Sequence, residues 1–256
     1  MIEIKKLQDW LPPKSWLEIH TIDTHTGGEP LRIIVSGFPE LSGKTVLEKR
    51  ACIKNEFDEF RKALMWEPRG HADMYGAIIV EPDTPGADFG VIFIHNEGYS
   101  TGCGHAVIAL TKVFVETGLI PNTEPVTEIR MDVPSGFIQS YANVKNGEIT
   151  NIGFHNVPSF VQLMNAKVDV PGLGSIQYDL AFGGAFYAFV DVEQVGLDCT
   201  KKHQNQLIEK GMKIKRAVME SVKMDHPTES EMNFLYGTIF IGPAQDPKNH
   251  SRNVCI

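Results

Sequence analysis

The stretch that decides the fold reads NEGYSTGCGH at residues 96–105 and continues as AVIALTKVFV at residues 106–115. Its first part is a Gly-rich loop that follows the strand-like run Phe89–His95, and its second part is apolar nearly all round a helix. A helix without a polar face is a buried helix, because on a surface it would expose apolar side chains to water. We therefore predict a buried central helix from about Gly104 to Thr117, with Cys103 at its entrance.

Composition and charge exclude several classes of protein. The chain has 256 residues, of which 42% are hydrophobic and 22% charged, as in ordinary globular proteins. Its formal net charge of -8 gives no overall basic character that would attract nucleic acid or an anionic membrane. No apolar run approaches the roughly 20 residues of a membrane helix, and no apolar core follows Lys5 and Lys6 as in a signal peptide. The four cysteines form no CxxC pair, which is typical of reduced thiols in a cytoplasmic protein.

The remaining sequence predicts strands separated by Gly- and Pro-containing turns, with two further helices from about Thr45 to Leu64 and from about Asn205 to Val222. Two of the strands are similar to each other: MYGAIIV at residues 74–80 and LYGTIFI at residues 235–241. Each follows a long charged helical segment and precedes a Pro-containing turn. This pattern indicates two similar halves, of which the second ends where its own loop and central helix should begin.

Cys103 is the strongest candidate for chemistry. A helix N-terminus favours a thiolate through its free amides and positive dipole end, and the neighbouring His105 can form a hydrogen bond or carry a charge. The backbone amides of Gly104 and His105 could also hold a carboxylate. An isolated cysteine is as often a small buried hydrophobic side chain, and spacing alone does not separate these two interpretations.

Other patterns are weaker. The Gly-rich loop has glycines at the first two glycine positions of the dinucleotide-binding motif GxGxxG, but Val107 occupies the third glycine position. The histidines lack metal-ligand spacing, and no GxSxG motif supports a serine nucleophile. The segment DTHTGGEP at residues 23–30 is interpreted as a turn rather than the mouth of a site, and in EPRGH at residues 67–71 Arg69 and His71 could meet a carboxylate or solvent.

Taken together, five ordered motifs resemble the proline racemase superfamily: DTHTGGEP, EPRGH, NEGYS with CGH, FGGAFY at residues 182–187, and LYG at residues 235–237. Within that superfamily they most resemble the trans-3-hydroxy-L-proline dehydratases. The resemblance implies an α/β (α+β) fold like that of diaminopimelate epimerase, with two pseudo-symmetric halves, each a sheet wrapped round a central helix. The substrate lies between the halves, and its carboxylate is held by the N-termini of both central helices.

The resemblance also implies roles for individual residues. Cys103 is the base that abstracts the Cα proton, Gly104 and His105 bind the substrate, and Ile78 forms a wall of the ring pocket. The substrate is a small proline-type imino acid, which loses water to give pyrroline-2-carboxylate. Neither a metal nor a cofactor is implied, and a homodimer is compatible with the family.

This sequence departs from the family at the second active-site motif, which should follow the segment RNVCI at residues 252–256. There the dehydratases have threonine, whereas racemases and epimerases have a second cysteine. We therefore expect a first half (1–134), a second half (135–256) without its central helix, and a truncated form. The alternative functions are proline racemase or hydroxyproline 2-epimerase, and a catalytically dead truncated isoform.

Overall fold

The computed structural model describes residues 3–256, which form thirteen strands and five α-helices. The helices are α1 (Ile4–Gln8), α2 (Val46–Glu56), α3 (Asp58–Met65), α4 (Gly104–Glu116) and α5 (Gln204–Ser221). The strands are β1 (His20–Thr26), β2 (Glu29–Ser36), β3 (Tyr75–Val80), β4 (Phe89–His95), β5 (Gly98–Ser100), β6 (Val126–Val133), β7 (Gly136–Lys145), β8 (Glu148–His155), β9 (Phe160–Val170), β10 (Gly174–Phe182), β11 (Phe186–Asp191), β12 (Leu235–Gly242) and β13 (Arg252–Cys255). Short 3₁₀ turns cover Val192–Val195, Lys201–His203 and Ser230–Met232.

The first sheet has the order β1-β2-β3-β4-β6-β7-β8, with β5 paired to β4. It is mixed, since β2 pairs with β3 and β4 with β6 in parallel, whereas the other pairs are antiparallel. Helices cover both of its faces. On β2, Ile33 is buried in the core around α4, and the next residue, Ile34, is buried in a second core beneath α2 and α3, as expected from the alternation of side chains along a strand.

The predicted central helix is confirmed. It runs from Gly104 to Glu116, within one residue of the expected end, and its buried side chains include Val107, Leu110 and Phe114. Lys112 and Glu116 lie on its exposed side, where they form an i,i+4 ion pair of 2.6 Å. Because the sheet encloses the rest of the helix, the start of α4 and the residue before it have a fixed position.

The predicted helix from Thr45 to Leu64 is two helices in the structure, α2 and α3. Thr45 is the N-cap residue of α2. It forms a capping box with Glu48, which gives backbone N–H groups of the first turn hydrogen-bond partners. The break lies at Phe57, whose φ of -134° and ψ of 24° leave the helical region. Its ring packs edge-on against Phe60 at 6.1 Å, so packing of the aromatic side chains accompanies the bend. None of the helices within residues 3–256 is both long and apolar enough to cross a membrane.

The second sheet has the order β13-β12-β11-β10-β9 and carries α5 on one face. Thr238 on β12 points to that helix, because its Oγ1 donates to the carbonyl of Gly211 at 3.0 Å. By strand alternation, Tyr187, Phe189 and Ile239 lie on the opposite face, where they line an apolar groove of about 420 Å³.

The chain passes from the first sheet to the second between β8 and β9. The predicted division after residue 134 stays a prediction. In the structure β6 and β7, which flank that position, pair with each other in the first sheet over the whole of β6.

Candidate active site

Cys103 is the N-cap residue of α4, with extended backbone angles (φ -153°, ψ 99°). The chain reaches it from β4 through the short strand β5 and a loop held by hydrogen bonds. Ser100 Oγ donates to the carbonyl of Gly102 at 2.6 Å, and the amide of Ser135 donates to the carbonyl of Thr101 at 2.9 Å. The position of the thiol is therefore set by both a helix and a sheet.

Burial controls the protonation of this thiol. It raises the pKa of Cys103 to about 12, and the negative charge of Glu29 adds to the effect. The backbone N–H groups of Ala106 and His105 face the sulfur and oppose that rise, as amides at a helix N-terminus do for an anion. Cys103 is consequently a neutral thiol at pH 7 in the unliganded protein.

His105 is placed to take the thiol proton. Its Nδ1 lies 3.4 Å and its Nε2 3.7 Å from Cys103 Sγ. Nε2 also lies 3.3 Å from the carbonyl oxygen of Pro30, and a carbonyl only accepts, so Nε2 carries the proton and Nδ1 offers a lone pair. Burial lowers the pKa of His105, which keeps the ring neutral at pH 7 but makes it a weaker base in the unliganded protein.

A pair of tyrosines from the two similar strands lies beside this Cys–His pair. Tyr75 begins β3 and Tyr236 is the second residue of β12, and their hydroxyls are 2.5 Å apart. The Tyr75 ring stacks on His95 at 5.2 Å and meets His105 edge-on at 5.0 Å. Burial raises the pKa of both tyrosines. Neither tyrosine is predicted as a site residue from the sequence, although the repeated Tyr-Gly pattern is the signal that marks both.

The second sheet supplies part of a cavity next to Cys103. The cavity has a volume of about 120 Å³, small against the roughly 300–1,000 Å³ of pockets for drug-sized ligands. Its lining comes from the start of α4, from β7, β8 and from the FGGAFY motif: Gly102, Cys103, Gly104, Val107, Ile138, Phe154, Asn156, Gly183, Gly184, Ala185 and Tyr187. This volume suits a small metabolite rather than a nucleotide.

Hydrogen bonds to two glycines of the FGGAFY motif join the second sheet to the first at the cavity. Gly184 has a positive φ of 100°, which L-residues rarely adopt. Thr101 Oγ1 donates to the carbonyl of Gly184, and Asn156 Nδ2 donates to that of Gly183 at 2.9 Å. The paired glycines of the motif thus serve both the junction between the sheets and the wall of the cavity.

The DTHTGGEP segment forms the tight hairpin between β1 and β2. Gly27 and Gly28 have positive φ values of 62° and 106°, which L-residues rarely adopt. The predicted turn is confirmed, and it also reaches the site, since Thr26 Oγ1 donates to the carbonyl of His105 at 2.9 Å.

An arginine joins this hairpin to the EPRGH segment. Arg32 forms a bidentate pair with Asp23 at 2.9 and 2.7 Å, and its Nη1 donates to the carbonyls of Leu64 and Arg69. Arg69 itself donates from Nε to the carbonyl of Ala63 at 2.8 Å. The planar guanidinium of Arg32 thereby fixes the two loops to each other.

The structure does not bring Ile78 to Cys103. Ile78 is 3% exposed and packs with Ile92 and Ile94 in the core beneath α2 and α3, whereas Cys103 packs against the core around α4. Its side chain therefore faces away from the cavity. The role of Ile78 as a wall of the ring pocket stays a prediction. Gly104 and His105, in contrast, lie directly beside the thiol.

Comparison with known proteins places these features in a family. The family model described as proline racemase matches residues 21–256. A trans-3-hydroxy-L-proline dehydratase of Colwellia psychrerythraea (strain 34H) is 49% identical over 254 residues, which cover 98% of this chain and 72% of that protein. A 3-hydroxyproline 2-epimerase of Burkholderia multivorans is 44% identical over 238 residues, with coverage of 93% and 71%.

Among solved structures, a hydroxyproline epimerase from Agrobacterium vitis, crystallised with bound trans-4-hydroxy-L-proline, superposes with a TM-score of 0.86. It is 27% identical, and the match covers 93% of this chain and 69% of the epimerase. The expected fold class is therefore confirmed.

Proposed function

This chain belongs to the proline racemase family, and on that premise we propose that it dehydrates trans-3-hydroxy-L-proline to pyrroline-2-carboxylate, with Cys103 as the base. The observation that carries the proposal is the 49% identity, over 98% of the chain, to a relative named as this dehydratase. The placement of Cys103 at the start of α4 and against His105 supports it. Epimerisation at Cα is the second candidate, because a 3-hydroxyproline 2-epimerase is 44% identical.

The start of α4 is suited to the substrate carboxylate. The amides of Gly104 and His105 belong to the first turn, where backbone N–H groups have no partner within the helix. With the positive end of the helix dipole they form an anion site. A carboxylate held there places the attached Cα next to Cys103. Gly104 leaves room for this approach, because a Cβ at that residue would lie 3.2 Å from the ring of Phe154.

Proton removal then uses the Cys–His pair. The thiol gives its proton to Nδ1 of His105, and the thiolate takes the proton from Cα. Negative charge that develops on the carboxylate is stabilised by the helix amides, which are already oriented. The C3–O bond breaks as the C2–C3 double bond forms, and the hydroxide leaves as water with the proton that His105 took from the thiol. The Cα proton stays on Cys103, so both residues end the step in their starting protonation states. The cyclic enamine that results tautomerises to pyrroline-2-carboxylate, and no electrons are exchanged with a cofactor.

The test is an assay of the 256-residue chain with trans-3-hydroxy-L-proline, in which NMR follows pyrroline-2-carboxylate. Cys103→Ser is the test variant, and Cys255→Ser, which changes an exposed thiol, is the matched control. A second sample with L-proline in heavy water reports exchange at Cα. Loss of water formation only in Cys103→Ser supports the proposal. Exchange without water loss favours the epimerase, and turnover that survives in Cys103→Ser contradicts the role of Cys103.

A further inference from the structure

The tip of the β1–β2 hairpin is fixed on the first turn of α4. Thr26 Oγ1 donates to the carbonyl of His105 at 2.9 Å, and His105 Nε2 lies 3.3 Å from the carbonyl of Pro30. Glu29 lies between these two contacts in the chain. It pairs directly with Thr26 across the hairpin, so its backbone position relative to the start of α4 is set from both sides.

The side chain of Glu29 lies on the face of β2 that is turned to α4. Side chains two residues apart on a strand share a face, and Leu31 and Ile33, the next two on this face, are fully buried in the core around α4. Thr26, the cross-strand partner of Glu29, contacts His105 from the same face. Glu29 is the first residue of β2 and is exposed, so its side chain lies at the solvent edge of that face, at the end of β2 that Thr26 and Pro30 join to α4.

The charge of this carboxylate acts on both members of the Cys–His pair. Burial raises the pKa of Cys103 and lowers that of His105, and in each case the negative charge of Glu29 adds a rise. Within residues 3–256 Glu29 forms no ion pair with a lysine, arginine or histidine. The site therefore presents an anion beside a thiol that must itself become an anion. A cation bound between them would relieve this conflict.

A proline-type imino acid carries such a cation. Its ring nitrogen is a secondary ammonium, and it is bonded to the same Cα as the carboxylate that we place on the amides of α4. When the carboxylate is bound there, the ammonium also lies at the start of the helix, within reach of the hairpin tip. The positive charge of the ammonium would offset the negative charge of Glu29. It would thereby lower the pKa of Cys103 and favour the thiolate.

We propose that the carboxylate of Glu29 binds the ring ammonium of the substrate and thereby selects ligands with a protonated ring nitrogen. This inference rests on the proposed function, since it requires an imino acid at the start of α4. Glu29 is a specificity-determining residue in this arrangement. It holds no part of the fold's core, because it is exposed at the hairpin tip.

The experiment compares two ligands by isothermal titration calorimetry. L-proline has the ammonium, and pyrrole-2-carboxylate has a similar ring and the same carboxylate with an uncharged nitrogen. Glu29→Gln removes the charge with little change of shape, Glu29→Asp retains it, and Glu148→Gln changes an exposed glutamate at the distant β7–β8 turn. Circular dichroism confirms that each variant is folded.

We expect Glu29→Gln to weaken L-proline binding about tenfold, or 1.4 kcal/mol, the scale of a partly hydrated charge-assisted contact. Its affinity for pyrrole-2-carboxylate should stay within about twofold of the wild type, and Glu148→Gln should change neither affinity. Equal weakening of both ligands, or no change for L-proline, would overturn the role of Glu29 and leave the proposed function standing. A wild-type chain that binds neither ligand would overturn the proposed function and this inference with it.

Discussion

The thiol of Cys103 should be alkylated slowly in the folded protein, with a rate that keeps rising into strongly alkaline solution. Only the thiolate reacts with iodoacetamide. With a pKa of about 12, against an ordinary value near 9, the thiolate fraction at pH 8 falls from roughly 10⁻¹ to roughly 10⁻⁴. The reaction at that pH should therefore be about a thousandfold slower than for an ordinary cysteine.

The assay measures the modification of each cysteine-containing peptide by mass spectrometry after timed labelling at a series of pH values. A synthetic peptide that spans residues 99–107 is the matched control, because it has the same neighbours in sequence but no burial. Restricted access would slow Cys103 by the same factor at every pH, so the shape of the profile isolates the effect of the pKa. The folded protein should show about a tenfold rise in rate for each pH unit between about pH 8 and pH 11.

A rate for Cys103 that levels off near pH 9, as the peptide's should, would refute the reasoning. In that case the amides of α4 would offset the effect of burial, and the pKa of Cys103 would be that of an ordinary cysteine. The thiol would still carry its proton at pH 7, but burial would not be what controls its ionisation.

Two further predictions concern stability. Salt bridges with Arg61 hold the pKa of Asp58 well below its usual range, so this carboxylate stabilises the fold above about pH 4 and ceases to do so as the pH falls. Asp58→Asn should cost about 2 kcal/mol at pH 7 and flatten the acid side of a urea-denaturation profile, and an unchanged slope there would contradict this. Gly70→Ala places a Cβ 2.1 Å from a backbone oxygen and should cost more than about 2 kcal/mol. Gly98→Ala, whose Cβ would have no neighbour within 4 Å, is the control, and equal urea midpoints for the two variants would contradict the packing argument.

Local chemistry accounts for what could be predicted along the chain. Strand β4 and helix α5 follow the predicted ranges within a residue or so, because β4 is a continuous apolar run and α5 repeats apolar residues with helical spacing. Strands β6, β9 and β10 were not predicted. The strands β6 and β10 do alternate buried apolar and more exposed residues, so their period of two was a usable signal. In β9 one face is largely exposed, and the pattern there is weaker.

The residues of the candidate site likewise fall into those that the sequence predicts and those that only the tertiary structure brings together. Cys103, Gly104 and His105 could be named because they are adjacent in sequence at a recognisable helix start. Tyr75 and Tyr236, 161 residues apart in the chain, meet only when the two sheets pack. A cytoplasmic location and a homodimer stay predictions, as does a ligand role for Ile78.

The sequence by itself determined the buried helix α4, since a helix without a polar face must be enclosed, and with it the thiol at its entrance. It also determined the family, through motifs in a fixed order. Only the tertiary structure decided which face of a strand meets the site. Strand β3 has apolar side chains on both faces, so its sequence pattern does not show which face lies next to the site. The packing of α4 on one face and of α2 and α3 on the other places Ile78 away from Cys103. The same packing brought Glu29 and the tyrosines to it, because contacts between distant segments depend on how whole layers fit together.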